Sequence, residues 1–443
     1  MMLRNSPPQT TRSKLSQYLL LTLILAFPLS AVSQTTAGDT AEIKRAMQLY
    51  DQNKFVEVIP ILEKLVAVHP SATVLLERLG WATFVVSSST KDPQARKEGR
   101  ARALGFLNKA RDLGDNSNLL QTGLEALSQP DTIDSPLSSI RDADAALREG
   151  EAAHARGDLD NAIKGYQRAL ELDPKMYLAA LFTGDMYFKK GYQATDSAEK
   201  KRLMATAGEW FARAISIDEN VETAYRYWGD SLDAEGKSDE ARDKFVDAII
   251  AEPYERRSYV GLTQWADRHQ ISLTHPKINI PANVTSKKAG GVTITVDEQA
   301  LKTADNDGSA AWMMYGFRRV MWMDKDGSRS KKFAQMFPNE SAYRHSLPEE
   351  VEALRGVVES VLVQKKEKPE INLTASLVNL MKLNDAGLLE AYVLFVMPDE
   401  GISRDYVTYR KSNRDKLKQY WLKFVVGAAI KPPVDSDPRS KGL

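Results

Sequence analysis

The sequence predicts an all-α protein, a solenoid of short helical hairpins followed by a smaller, mostly helical C-terminal domain with one β-hairpin. Three observations lead there. Between Gly150 and Pro174 the chain reads GEAAHARGDLDNAIKGYQRALELDP, where Ala162, Tyr166 and Ala169 recur at steps of four and three and so share one helix face. Small residues and turn formers of the same kind return at regular intervals on both sides of this stretch. After Pro253 the period stops, and β-branched alternation followed by aromatic-rich helical segments takes over.

The central hairpin explains itself locally. Gly157 can end the first helix because it adopts positive φ without steric cost, alanine lets the partner backbone come near, and Pro174 cannot continue the second helix. One such hairpin leaves an apolar face open, so neighbours are required. Gly150, Ala153, Gly157, Ala162, Tyr166, Ala169 and Pro174 occupy signature slots of a known unit, and the stretch resembles the tetratricopeptide repeat, a helix-turn-helix of about 34 residues. Counted this way, the repeat begins at Ala143. The next, from Tyr177, offers Gly184, Tyr187 and Gly191 and resumes at Ala207, Phe211 and Ala214; the one from Glu222 offers Trp228, Gly229, Leu232, Gly236, Ala241, Phe245, Ala248 and Pro253.

Earlier in the chain the signature is weaker. Residues 39–142 read as a degenerate pair plus half a repeat, with Ala46, Leu49, Val58, Leu62 and Leu65 in slots ahead of Pro70, then Gly80, Ala103, Leu107 and Ala110. Pro70 and Pro174, Gly80 and Gly184, Ala103 and Ala207, and Ala110 and Ala214 are each 104 residues apart. From glycine to alanine the interval is 23 residues in both copies, against 12 from Gly150 to Ala162. A pair comprising one ordinary and one extended hairpin has therefore been duplicated. Asp92 before Pro93, and Thr195 or Asp196, are expected to cap lengthened helices rather than sit in loops. Leu120, Leu124 and Leu127 share a further helix face, and Gln129–Ser139 reads as a connection.

Residues 143–270 comprise the regular repeats and a capping helix around Glu255–Ile271, and residues 276–430 are a mainly helical domain that resembles no family. There, a hairpin of Ile278–Ile280 with Val292–Val296 is expected around Lys287–Gly291. Helices are expected over Ala310–Met323, from Pro348 through Val363, over Leu373–Leu383 and Ala386–Met397, and over Arg404–Val426. Residues 431–443 read as a disordered tail.

At the other end, Arg4, Arg12 and Lys14 precede the apolar run YLLLTLILAFPLSAVSQ, with Ala31 and Ser33 placed for cleavage before Gln34. Residues 1–33 are thus expected to be a signal peptide, and the protein to be exported, either periplasmic or secreted. Its removal turns a formal charge of +1 into about −2, which offers nothing to nucleic acid. The absence of cysteine frees stability from the redox state outside the cytoplasm. An uncleaved N-terminus acting as a tether is the alternative, and peripheral association with membrane or envelope is a further possibility.

No catalytic motif emerges. The histidines His69, His154, His269, His275 and His345 are scattered without metal-ligand spacing. Asp305–Gly308 and Asp324–Gly327 resemble the start of calcium loops, but the glycine comes too early and no acid closes the loop, so they read as turns. No cofactor and no metal are expected. The basic residues of the two extensions, Lys91, Arg96, Lys97, Arg100 and Arg102, and Lys189, Lys190, Lys200, Lys201 and Arg202, read as solvated faces, or else as a knob for an acidic partner or lipid head groups.

The resemblance implies a concave groove lined by the first helices, which holds peptides or helices of partner proteins. Its slots would place Glu77, Trp81 and Phe84 there in the first copy, then Glu151 and His154, Asp185 and Phe188, and Arg226, Asp230 and Asp233; Trp81 and Phe84 read equally well as packing residues of the degenerate repeat. This lining is aromatic and acidic. It lacks the asparagine-and-lysine clamp with which some members grip a C-terminal carboxylate, so an apolar-anchored segment with some basic charge fits better. The reading is an exported scaffold for envelope proteins, not an enzyme; the alternative is a catalytic C-terminal domain with substrate-recruiting repeats. Partner identity and oligomeric state are not legible.

Overall fold

The structure, a computed structural model, describes residues 37–90, 92–127, 137–286, 292–298, 304–323 and 329–427. The expected signal peptide, Lys91, most of the Gln129–Ser139 connection, the turn at 287–291, the turn at 324–327 and the C-terminal tail lie outside them. The chain forms two compact units, one ending at Gly261 and one beginning at Leu262.

The first unit is a run of helix pairs: α1 (Ala37–Asp51) with α2 (Phe55–Val68), α3 (Thr73–Ser88) with α4 (Pro93–Asp112), α5 (Asn118–Leu127), α6 (Arg141–Ala155) with α7 (Leu159–Leu172), α8 (Tyr177–Gln193) with α9 (Ser197–Ile217), and α10 (Glu222–Ala234) with α11 (Ser238–Ala251). A 3₁₀ turn, Arg256–Tyr259, then leads into α12 (Val260–Arg268). The starts of α1 to α5 at Ala37, Phe55, Thr73, Pro93 and Asn118 recur 104 residues later at Arg141, Leu159, Tyr177, Ser197 and Glu222. The duplication thus holds helix by helix.

Small residues sit where the pairs cross. A Cβ on Gly184 would lie 2.6 Å from the Phe211 ring and 3.2 Å from the Ala207 carbonyl oxygen. In the first copy, a Cβ on Gly80 would lie 2.6 Å from Leu107 and 3.2 Å from the Ala103 carbonyl oxygen. The same contact is made twice. Gly157, with φ of 78°, turns α6 into α7, and in the equivalent slot Asn53 adopts φ of 58°, a left-handed conformation that asparagine tolerates better than most side chains. As expected, the extensions are helical: α8 and α9 have 17 and 21 residues against 15 and 14 in α6 and α7. Asp92 and Asp196 cap them, accepting from the Gln94 and Glu199 amides at 3.0 and 2.8 Å.

The second unit holds β1 (Ala282–Ser286) antiparallel to β2 (Val292–Val296), paired from Ala282 with Val296 to Ser286 with Val292. The expected first strand, Ile278–Ile280, is corrected by this register. That segment is instead tied to another helix, since the Asn279 amide donates to Ser376 Oγ at 3.0 Å and Lys277 accepts from Asn379 at 3.0 Å. The helices that follow are α13 (Ala304–Asp307), α14 (Met313–Val320) after a 3₁₀ turn, α15 (Lys331–Met336), α16 (Leu347–Glu367), α17 (Ala375–Asp385), α18 (Leu389–Val396), α19 (Glu400–Ser403) and α20 (Tyr406–Tyr420), which continues as a π-helical turn through Val426. Asp305–Asp307 belong to the one-turn helix α13, which Gly308 ends with φ of 81°, and the Asp307 carboxylate accepts from the Ser309 amide at 2.9 Å. None of the described helices is long and apolar enough to cross a membrane.

Candidate functional site

The residues expected to line the groove fall into three groups. Glu151, His154 and Asp185 are brought together. Glu151 and His154 share one face of α6, and Asp185 shares a face of α8 with Lys189, four residues on. Lys189 Nζ lies 2.9 Å from Asp185 Oδ2 and 2.9 Å from His154 Nε2, while the Tyr166 hydroxyl on α7 donates to Glu151 Oε1 at 2.5 Å. All five side chains are buried.

Burial sets the charges of this cluster. Together with the adjacent Lys189 ammonium it holds His154 well below its ordinary range, so the imidazole is neutral and Nε2 accepts from Lys189. Burial raises Glu151 and Asp185, opposed by the Tyr166 bond at Glu151 and by the Lys189 charge at Asp185. It also pushes the Tyr166 hydroxyl far up, and the Glu151 charge adds to this. A lysine bonded to a carboxylate and an imidazole is a fastener rather than a nucleophile. Lys189 was read from the sequence as part of a basic protrusion. The signal that places it here is Asp185 four residues earlier on the same helix.

Glu77, Trp81 and Phe84 form the second group, and for the two aromatics the packing role is the one seen. Trp81 and Phe84 are each 2% exposed. The Trp81 indole donates to the Leu119 carbonyl at 3.2 Å and meets Phe84 edge-on at 6.0 Å. Glu77 accepts from the Ser117 hydroxyl. Gly123 on α5 has no side chain, and a Cβ there would lie 3.3 Å from the Trp81 ring, so that ring fills space between helices. These are packing residues, not exposed anchors.

The third group lies toward α10. Arg226 is buried against Glu222, with Nε 3.0 Å from Oε2. Asp230, Asp233 and Phe188 stay partly exposed, and the Phe188 ring lies 6.2 Å from Tyr192, itself 46% exposed.

Many of the extension's basic residues have intramolecular partners. Arg96 donates to the Thr90 carbonyl at 2.9 Å, Arg100 to the Leu127 carbonyl at 2.6 Å, Arg102 pairs with Glu63 at 2.6 Å, Arg202 with Glu199 at 2.7 Å and Lys190 with Asp160. Lys97 and Lys201 are exposed and Lys200 lies half-buried over the Tyr192 ring at 5.6 Å, which fits a solvated face better than a docking knob.

The second unit carries its own charged cluster. Arg319 on α14 meets Glu349 at 2.8 Å and Glu350 at 3.4 Å on α16, and the hydroxyls of Tyr315 and Tyr343 donate to Glu350 and Glu349 at 2.9 and 2.8 Å. His345 bridges Glu350 at 2.9 Å and Asp399 at 2.6 Å. Burial disfavours its charge, but the bonds to Asp399 and Glu350 outweigh this and raise it to about 9. Glu349 and Glu350 are 0% exposed. Among the described residues no group of three or more potential ligands is arranged to hold a metal ion.

No family model matches the sequence, and no curated protein matches it. Similar solved structures include the first TPR of Spaghetti (RPAP3) bound to the HSP90 peptide SRMEEVD, at 18% identity over 30% of this chain and 99% of that one, with a TM-score of 0.26. The MamA protein is 18% identical over 53% of this chain and 97% of its own, TM-score 0.23. The TPR2AB domain of yeast Sti1, in complex with HSP90, is 14% identical over 53% and 99%, TM-score 0.26. Independently of these likenesses, the paired helices, their fixed register and the close approaches at Gly80, Gly150, Gly184 and Gly229 make the first unit a solenoid of helical hairpins.

Proposed function

We propose that the protein is an exported scaffold that holds apolar-anchored peptide segments or helices of other envelope proteins on the first-helix face of its repeats, without chemistry of its own. One observation carries this reading. On α6, α8 and α10 a buried cation is bound to an acid four residues earlier, Asp144 to Arg148 at 2.9 Å, Asp185 to Lys189 at 2.9 Å and Glu222 to Arg226 at 3.0 Å, while Phe188, Asp230 and Asp233 remain partly exposed. An incoming carboxylate would have to displace an internal acid to reach these cations. A segment offering an apolar side chain meets the partly exposed Phe188 ring, which needs no internal contact to be displaced first.

The RPAP3 repeat was solved with an HSP90 peptide. For the present chain an internal segment is favoured over a C-terminal tail. Export rests on Arg4, Arg12 and Lys14 ahead of the apolar run, and N-terminal sequencing of the mature protein tests it. The groove is tested by crosslinking capture from the native envelope with Phe188→Ala and Asp233→Asn. Loss of a partner held by the parent chain is the expected result, and an unchanged set of captured partners removes the assignment.

A further inference from the structure

The buried cluster around His154 sits where the two copies of the repeat meet. The His154 ring meets the Phe55 ring of the first copy edge-on at 5.9 Å, and Ala155 is buried within the first copy's apolar cluster. The turn at Gly157 lies so close to the α1–α2 turn that a Cβ there would be 3.0 Å from the Gln52 carbonyl oxygen. The end of α6 is therefore fastened on one side to α8, through Lys189, and on the other to the first copy.

The duplication shows that such a fastening does not require a buried histidine and lysine in these slots. The slots of Glu151, His154, Tyr166, Asp185 and Lys189 are filled 104 residues earlier by Met47, Tyr50, Leu62, Trp81 and Val85, mostly buried apolar side chains in the same pairs of helices. Burying ionic groups where apolar ones fit is at best neutral for stability. The structure assigns the polar set another use. We propose that it is an acid-released latch between the copies: protonation of His154 sets an imidazolium against the Lys189 ammonium and frees the end of α6 from α8 and α2.

The groups around His154 determine the sign. From α8 come Lys189 and Asp185, from α7 Tyr166, and on α6 itself Arg148 and Glu151. From the first copy comes the Tyr50–Phe55 corner, with Arg78 over the Tyr50 ring at 4.8 Å and Asp51 and Glu77 acting on Tyr50. The folded chain keeps His154 neutral at pH values where a free histidine is charged, so its contribution is complete above about 6.5 and is lost as pH falls. Asp185 and Glu151 are shifted upward, so their protonation favours the folded form on acidification and opposes the histidine. Removing His154 isolates its own part.

The absence of native cysteine makes the test direct. Spin labels at Gln52→Cys and Arg156→Cys, both exposed and on facing turns, should show dipolar broadening at about pH 7.5 that is lost near pH 5 with helical content retained. With His154→Gln added, or with the first copy's residue in His154→Tyr, the broadening should persist at the lower pH. Broadening that survives acid in the parent, or disappears equally in both variants, overturns the latch. Should neither variant fold, the NMR titration of His154 in the parent decides. A midpoint well below 6.5 that coincides with loss of broadening supports the latch, and a midpoint near 6.5 in an intact fold contradicts it.

Discussion

The two copies of the repeat share their helix starts to the residue and differ in what fills the space between helices. At equivalent slots the first copy places Met47, Tyr50, Leu62, Trp81 and Val85, and the second places Glu151, His154, Tyr166, Asp185 and Lys189. The close approaches are shared instead: Gly80 on Leu107 and Ala103, Gly184 on Phe211 and Ala207. Register in this fold is set by where the backbones can touch. What lies in the intervening slots is free to change, provided that volume and hydrogen bonding are satisfied.

That comparison breaks most visibly at a single slot. Lys189→Met leaves Asp185 buried without its cation and should cost about 3–5 kcal/mol in urea denaturation, while Val85→Met, which only adds volume at the equivalent position of the first copy, should cost about 1–3 kcal/mol. Equal losses at the two positions would mean that the slots are not equivalent.

The shared contact gives the next largest effect. Gly80→Val and Gly184→Val each force a side chain into a partner helix, and each should lower stability by about 1–3 kcal/mol. Thermal unfolding should place the two variants together. A mild effect at one site and a severe one at the other would argue that the copies are held differently.

Histidine sharpens the contrast with the second unit. His345 is raised to about 9 from an unfolded 6.5, so its contribution is fully present below pH 6.5 and is lost as pH rises through 9, on the order of 2 kcal/mol. His154 is lowered, so its contribution is lost as pH falls below 6.5. Denaturation of His345→Gln across pH should flatten the alkaline slope and leave the acid one. The acid side of the first unit also carries Glu252, raised to about 7 by burial and by Glu222, which acts in the opposite direction to His154.

The smallest effect is at the surface. Arg102 and Glu63, 58% and 42% exposed, form a pair whose removal in Arg102→Ala should cost less than about 1 kcal/mol and leave captured partners unchanged. Loss of a partner in that variant would revive the basic extensions as a docking surface.

What was legible in the sequence follows the same division. Gly150, Gly184, Ala207 and Pro174 act within a few residues or within one hairpin, so their spacing is enough to read the repeats, the 104-residue duplication and the caps at Asp92 and Asp196. For Trp81 the sequence leaves groove and packing roles equally open, because its burial depends on Gly123, on another helix and without a signature of its own. Lys189 reads as part of a protrusion by its basic neighbours; Asp185 four residues earlier is the local signal against that, and its other partner, His154, is 35 residues away. In the second unit, Arg319 meets Glu349 and Glu350, and Arg344 meets Asp405 at 2.6 Å, across gaps that no local period records. The first strand was misplaced because Ile278 and Ile280 alternate as well as the residues that pair, and register is decided by the partner strand.

The most direct test moves the first copy's chemistry into the second. A chain carrying Glu151→Met, His154→Tyr, Tyr166→Leu, Asp185→Trp and Lys189→Val, with Tyr227→Gly to make the room that Gly123 makes for Trp81, should fold with unchanged helical content. It should unfold at an equal or higher urea midpoint, without the fall below pH 6.5 that His154 contributes in the parent. Collapse of the fold, or a midpoint that still falls with pH as in the parent, would contradict the claim that close backbone approach sets the register and that the polar slots serve as a latch.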